Sequence, residues 1–383
     1  MALQTGDAAP AFKARTPSNP TYAFDTAAGR YLLLGFFPSQ DGPLAAAMGR
    51  AVGAARRLFD DDEIAFFGVL RGVEACARAQ DSFPGVRWFL DADRAVSRLY
   101  GMDLAEDQEA CGWILLDPAM RVLATASVEA TDQLFADLQG LPPVDDHAGV
   151  ALHAPVLIVP RVFEPAFCAR LIEAYHAGGG APSGFMRDVD GRTVEVHDPS
   201  HKRRSDHVIE DEALREQIRV RVIRRLTPQI ARAFAFTPTR MERYLVARYD
   251  ALDAGFFRAH RDNTTKGTAH RRFAVTINLN AEAYDGGDLA FPEYGSRTYR
   301  APTGGAVVFS CSLLHEARPV TRGERYAFLP FLYDEAAAQL REANTPFVSA
   351  ELAGYRAGSA PTDAADGPVK TSDDGSGQRA RRP

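Results

Sequence analysis

The chain is expected to fold as two domains, an α/β unit followed by a β-rich unit with flanking helices, and three observations carry that expectation. At 383 residues it exceeds the usual single-domain size. Its first third alternates strand-like and helix-like segments, whereas residues 244–331 read as short strands punctuated by Gly, Pro and Asp. Between them LPPVDDHAGVAL, residues 141–152, bears Pro and Asp without periodicity and suits a linker.

Taken in order, Tyr31 to Phe37 is a dense apolar run suited to a buried strand, and Pro43 to Phe59 is Ala-rich with helical apolar spacing. Ile64 to Leu70 reads as strand, Val73 to Phe83 as helix, Trp88 to Leu90 as strand and Ala95 to Tyr100 as helix. Strands at Trp113 to Leu116 and Arg121 to Ala124 and a helix at Asp132 to Leu138 complete an α/β sheet with helices on both faces. A new domain opens near Ala154 with a strand, a turn and an amphipathic helix from Pro165 to Ala177, stopped by Gly178, Gly179 and Gly180. Residues 181–206 are polar and aperiodic, which predicts a mobile loop, and the charge run His201, Lys202, Arg203 and Arg204 is expected to be solvated there, with a substrate lid as the alternative. Leu214 to Ala235 reads as a long helix. Eight short strands follow, from Tyr244 to Phe331, arguing a barrel or sandwich. The expected boundaries are 1–147, 148–355 and a polar, disordered tail over 356–383.

Composition excludes some classes. A formal charge of −6 gives no electrostatic reason to expect nucleic acid or an anionic membrane as partner, and 46% hydrophobic residues suffice for sizeable cores. The opening MALQTGDAAPAFKAR has neither a secretory h-region nor a transit-peptide pattern, so a cytoplasmic protein is expected. Apolar runs fall far short of the ~20 residues a membrane helix needs. Cys76, Cys111, Cys168 and Cys311 form no CxxC pair and no zinc-ligand spacing, and free thiols are expected.

GDAAPAF near the start, LLLGFFP at 32–38 and WILLDPAMRVLAT at 113–125 resemble the thioredoxin-like fold of the peroxiredoxins over roughly residues 1 to 140. In that family the strand ending in FFP leads to a peroxidatic Cys at a helix N-terminus, where the thiol becomes a reactive thiolate. Here Pro38 is followed by Ser39, Gln40, Asp41, Gly42, Pro43 and Leu44, and the first cysteine is Cys76. The domain is therefore expected to be redox-inactive, leaving a docking, dimerising or substrate-presenting role, with a homodimer through it among the expectations.

The chemistry is expected in the second unit. His260 and Asp262 are two apart, so on an extended segment their side chains leave from one face. His315 follows Asp262 by 53 residues, and Arg325 lies ten beyond it. Two imidazoles and one carboxylate are the set non-haem Fe(II) oxygenases use to hold iron on one face. A short His-x-Asp motif arises by chance, but its surroundings add weight: YDALDAGFFRAHRDN, DGGDLAFPEY, PTGGAVVFS, SLLHEARPV and TRGERYAF follow one another in order.

Together with VLIVPRVFEPAFCARLIEAY, these segments resemble the Fe(II)/2-oxoglutarate dioxygenases, most closely the prolyl 4-hydroxylase group, over roughly residues 152 to 335. The resemblance implies a double-stranded β-helix, or jelly-roll, with flanking helices. It also implies iron held by His260, Asp262 and His315, with 2-oxoglutarate and O₂ as cosubstrates and ascorbate as a further cofactor. Arg325 is the expected partner of the far carboxylate of 2-oxoglutarate, since a guanidinium is bidentate and always charged. Tyr249 and Asn278, the latter on FAVTINLN, are expected as additional donors, with Tyr249 as a plain core aromatic the equal alternative. An Asp at 262 argues against halogenation. The implied reaction is hydroxylation of an unactivated C–H bond, with a prolyl residue of a peptide or protein as leading substrate. The alternatives are a free amino acid or natural-product intermediate, and a non-catalytic iron and 2-oxoglutarate sensor. A thiol peroxidase is disfavoured by the missing Cys.

Overall fold

The strand Tyr31–Phe36 is buried at every position, which suits the centre of a sheet covered on both faces. The computed structural model, which describes residues 3–103, 110–349 and 352, places it third in the order Val86–Leu90, Ile64–Leu70, Tyr31–Phe36, Gly112–Leu116, Val122–Ser127. The first three strands are parallel, Gly112–Leu116 runs antiparallel to them, and Val122–Ser127 turns back antiparallel to Gly112–Leu116. Helices Pro43–Ala54 and Thr131–Leu138 bury Met48, Val52, Leu134 and Leu138 on one face, and Ala95–Leu99 brings Val96 to the other. This is the expected thioredoxin-like arrangement. Gly68 is where the sheet admits an indole: a Cβ there would lie 2.1 Å from the Trp88 ring.

Two helices end sooner than their apolar spacing predicts. Val73–Arg78 stops five residues short of Phe83 because Asp81 is engaged elsewhere, its carboxylate accepting from Ser18 Oγ at 2.5 Å and from the Trp88 N–H at 3.0 Å. Pro43–Ala54 gives way to a 3₁₀ turn at Arg56–Leu58.

The second unit is built from two facing sheets, a double-stranded β-helix. The larger one runs Arg240–Glu242, Phe331–Tyr333, Phe273–Asn278, Glu324–Phe328, Leu245–Asp250, Ser205–Val208, Ala181–Pro182, with Ala306–Ser310 and Leu157–Val159 branching from Phe273–Asn278. Its outer face is covered by the helix Pro165–Gly178 and by the segment 212–234, through Leu171, Ile218, Leu226 and Ile230. That segment was expected as one helix. It widens to a π turn at Val222–Leu226 just before Pro228, which has no N–H to donate.

The smaller sheet runs Lys202–Arg203, Phe256–His260, His315–Ala317, Leu289–Ala290, Thr298–Tyr299. Side chains from both sheets fill the space between them, Leu245, Ala247 and Tyr249 meeting Phe257 and Ala317.

The mobile loop expected over 181–206 is instead regular structure. Phe185–Val189 pairs in antiparallel register with Arg192–Val196 across Asp190 and Gly191, whose φ values of 48° and 77° are what a tight hairpin turn requires. An Asp-Gly pair between strands was the overlooked signal. Lys202–Arg203 then joins the smaller sheet and Ser205–Val208 the larger, so this segment crosses from one to the other. The tail expected over 356–383 lies outside the described residues. No helix among the described residues is long and apolar enough to cross a membrane.

Candidate active site

The strands Phe256–His260 and His315–Ala317 are antiparallel neighbours, and His260 stands opposite His315. A bulge between Phe257 and His260 adds one residue to that strand, and the two imidazoles lie side by side, tilted 49° to one another with ring centroids 4.4 Å apart. Beyond the strand the Asp262 N–H donates to the Cys311 carbonyl at 2.9 Å, which folds the carboxylate back toward both rings. Its Oδ1 lies 3.5 Å from His260 Nε2 and its Oδ2 3.3 Å from His315 Nε2. Ligand atoms of the three residues all fall within 4.8 Å of one another.

The ring tautomers follow from the other nitrogens. His260 Nδ1 is 2.8 Å from the Arg258 carbonyl and His315 Nδ1 is 3.0 Å from that of Leu313. A carbonyl only accepts, so each Nδ1 carries a proton, which leaves Nε2 as the nitrogen facing the shared centre and, in a neutral ring, as the lone pair a metal ligand needs. Burial, reinforced by neighbouring His315, pulls the His260 pKa down to about 4, so the ring is neutral at physiological pH. Burial opposes the charge on Asp262, but His315, His260 and Arg271 outweigh it and hold the carboxyl below the usual range. Phe257 stacks on His260 at 3.6 Å, and Phe309 lies 4.6 Å from His315.

Arg325 pairs with Tyr249 across neighbouring strands of the larger sheet. It is 2% exposed, yet its Nε and Nη1 have no hydrogen-bond partner. The guanidinium sits 5.0 Å from the Tyr249 ring, which clusters with Phe257, Ala317, Val320 and Tyr284. An unpaired buried cation is costly, and a carboxylate taken in a bidentate grip is the complement that relieves the cost. Phe257 belongs to this wall and also stacks on His260, so one aromatic ring links the apolar cluster around the guanidinium to the three-donor cluster. Two imidazoles, a carboxylate and a waiting guanidinium fit iron together with a 2-oxo acid that has a distal carboxylate.

The two further donors expected are placed differently. The Tyr249 hydroxyl accepts from Arg204 Nη1 at 3.4 Å. Asn278 Nδ2 donates one of its two N–H groups to the Ala301 carbonyl at 2.7 Å, and its acceptor Oδ1 is unpaired.

Lys202, Arg204, Asp206 and Arg243 were not anticipated here. Of the charge run expected in solvent, Arg203 is exposed but Lys202 and Arg204 are inside: Lys202 is 6% exposed and donates to Ser183 Oγ at 2.7 Å and to the Gly184 carbonyl at 2.5 Å. Arg204 meets Asp206 at 2.6 Å, and Arg243 reaches the same carboxylate oxygen at 3.5 Å. Burial works against the Asp206 anion, but Arg204, Lys202 and Arg243 prevail and hold its pKa at about 2. The readable signal was alternation, since Lys202, Arg204 and Asp206 fall at every second residue of an extended segment.

A cavity of about 1810 Å³ opens onto His260 and Asp262. The second unit contributes Lys202, Asp206 and Arg243 to its wall, and the first unit Phe12, Lys13 and Tyr22. In the first unit Cys76 donates to the Leu70 carbonyl at 3.1 Å, and burial raises its pKa, so this thiol is not activated.

Residues 244–333 match the model of the 2OG-Fe(II) oxygenase superfamily. A PKHD-type hydroxylase of Xanthomonas campestris is 27% identical over 182 residues, covering 45% of this chain and 75% of the relative. One from Bordetella pertussis is 30% identical over 148 residues, covering 36% of this chain and 63% of its own. Among solved structures, a Pseudomonas putida prolyl-4-hydroxylase aligns with 50% of this chain and 96% of its own at 18% identity and a TM-score of 0.35. The Xanthomonas campestris bacterioferritin comigratory protein aligns with 35% of this chain and 98% of its own at 18% identity and a TM-score of 0.30. The matched stretch contains His260, Asp262, His315 and Arg325 together, and this chain carries a 2OG-Fe(II) oxygenase domain.

Proposed function

We propose that the chain hydroxylates an unactivated C–H bond, consuming 2-oxoglutarate and O₂ and releasing succinate and CO₂. The observation that carries this reading is the three-donor cluster, joined through Phe257 to the surroundings of a buried guanidinium whose Nε and Nη1 lack partners. His260, Asp262 and His315 would hold Fe(II), and Arg325 would bind the distal carboxylate of 2-oxoglutarate. When bound, iron with 2-oxoglutarate and O₂ supplies the oxidant that a C–H bond demands and no side chain can provide. The protein contributes placement and dryness: Phe257, Ala317, Val320 and Tyr284 exclude water around Arg325. Ascorbate would serve as reductant.

The leading substrate is a prolyl residue in a peptide or protein, on the strength of the sequence resemblance to prolyl 4-hydroxylases and the hydroxylase names of the relatives. The cavity beside His260 is large enough for a peptide segment. A free amino acid or natural-product intermediate is the alternative substrate. Adding Fe(II) and 2-oxoglutarate without oxygen should give a visible charge-transfer band that His260→Ala abolishes. With oxygen, a peptide library analysed by mass spectrometry should show one added oxygen atom, with matching succinate. A band that survives His260→Ala refutes the ligand set, and metal binding without any turnover would favour the sensor reading.

A further inference from the structure

Each of the three donors has a neighbour in sequence that is anchored in the first unit. Leu314, immediately before His315, is 0% exposed within that unit's core beside Phe24, Ala27 and Leu116, and Ala259, immediately before His260, packs against the same core. Arg261, between His260 and Asp262, reaches Asp25 with Nε at 2.8 Å and the Asp25 carbonyl with Nη2 at 3.3 Å. The same guanidinium meets Glu293 at 2.9 Å and donates to the Ser312 carbonyl at 2.5 Å. Glu293 also accepts from the Leu314 N–H at 3.1 Å, so one carboxylate ties the His260–Asp262 segment to the approach of His315.

The contact is tight where Glu293 is fixed. Gly29 of the first unit, at φ 92°, has so little room that a Cβ there would lie 2.4 Å from the Pro292 side chain. Asp25 and Phe24 follow one another in sequence, so the ion pair and the apolar seat of Leu314 come from a single turn. The arrangement is what a metal site needs behind its ligands: partners that lock orientation, set in a packed and desolvated support.

We propose that the first unit is a built-in part of the metal centre, its Asp25 acting as a positioning residue through Arg261 and Glu293 and its core seating Leu314, so that together they set the spacing of His260, Asp262 and His315. The inference rests on the metal reading above and gives the thiol-poor unit a role that needs no thiol.

The test uses the full chain and Co(II) alone, titrated in the visible range, beside thermal unfolding of the metal-free protein. Asp25→Asn removes the charge and keeps the shape. It should weaken Co(II) binding about tenfold or more, in line with the loss of groups that orient ligands, and alter the visible band. Arg261→Gln should do the same, and the double variant should cost no more than either single one, because both break one linkage. Co(II) affinity and spectrum unchanged in Asp25→Asn overturn the proposal, as do fully additive losses. Should Asp25→Asn not fold, Asp25→Glu decides: weaker Co(II) binding supports the linkage and wild-type binding refutes it. If the wild type binds no Co(II), or His260→Ala binds it equally well, the metal reading itself falls and this inference with it.

Discussion

Arg71 in the first unit and Arg325 in the second are almost equally hidden, 3% and 2% exposed, but they are furnished in opposite ways. Arg71 donates to the carbonyls of Phe37, Met102 and Ala110 at 2.7, 3.0 and 3.1 Å. Arg325 leaves Nε and Nη1 without a partner. One guanidinium fastens the backbone of a finished core, and the other waits for something the chain does not supply. The contrast extends beyond these two: Arg204 Nε, Asp206 Oδ1 and Asn278 Oδ1 are also buried and unpaired in the second unit, whereas the first contributes Arg30 Nε among the described residues. Unpaired buried groups are expensive, and their concentration marks where stability has been given up for binding.

The contrast breaks most visibly in stability. Arg71→Met should lower unfolding free energy by about 3–5 kcal/mol, because it strands carbonyls that a charged donor now satisfies. Chemical denaturation measures this, and a loss below about 1 kcal/mol would contradict the fastening role. Arg325→Met should do the reverse: metal-free stability is held or raised, while the KM for 2-oxoglutarate rises roughly 30- to 150-fold, the equivalent of about 2–3 kcal/mol for a charge-assisted bond. An unchanged KM would remove Arg325 from the cosubstrate.

Asp206 sharpens the comparison through pH. Its folded pKa of about 2 lies below the ordinary carboxyl value, so its charged form stabilises the fold fully above pH about 4, and that contribution is lost as pH falls toward 2. Asp206→Asn should therefore cost on the order of 2 kcal/mol at neutral pH and flatten the acid side of the stability profile over that window. A variant whose acid limb is as steep as the wild type would show that other carboxylates govern it.

What the sequence disclosed follows from which signals are local. Ile64–Leu70 and Ala306–Ser310 form as expected because unbroken apolar runs leave a chain little choice but a buried strand. His260, Asp262 and His315 were legible because the donor set is chemically distinctive, and the structure brings their ligand atoms within 4.8 Å. The stretch 181–206 was misread because polarity was taken to mean solvent. Lys202 and Arg204 are buried through partners such as Ser183 and Asp206, and an ion pair is invisible until both members are placed. Asn278 shows the remaining limit: that its Nδ2 donates to the Ala301 carbonyl, 23 residues away, depends on a pairing of distant strands and loops that no local pattern announces.

The extra residue between Phe257 and His260 has a consequence for variation in length. In an unbroken antiparallel ladder Phe257 opposite Ala317 would set Ala259, not His260, opposite His315. Deleting the extra residue, at Arg258 or Ala259, would thus return the ladder to regular register with the imidazole still opposite His315, whereas inserting one more residue there would keep every donor in the chain and move that imidazole out of register with His315. A search for this chemistry that scores only the His-x-Asp letters would accept such an insertion as intact.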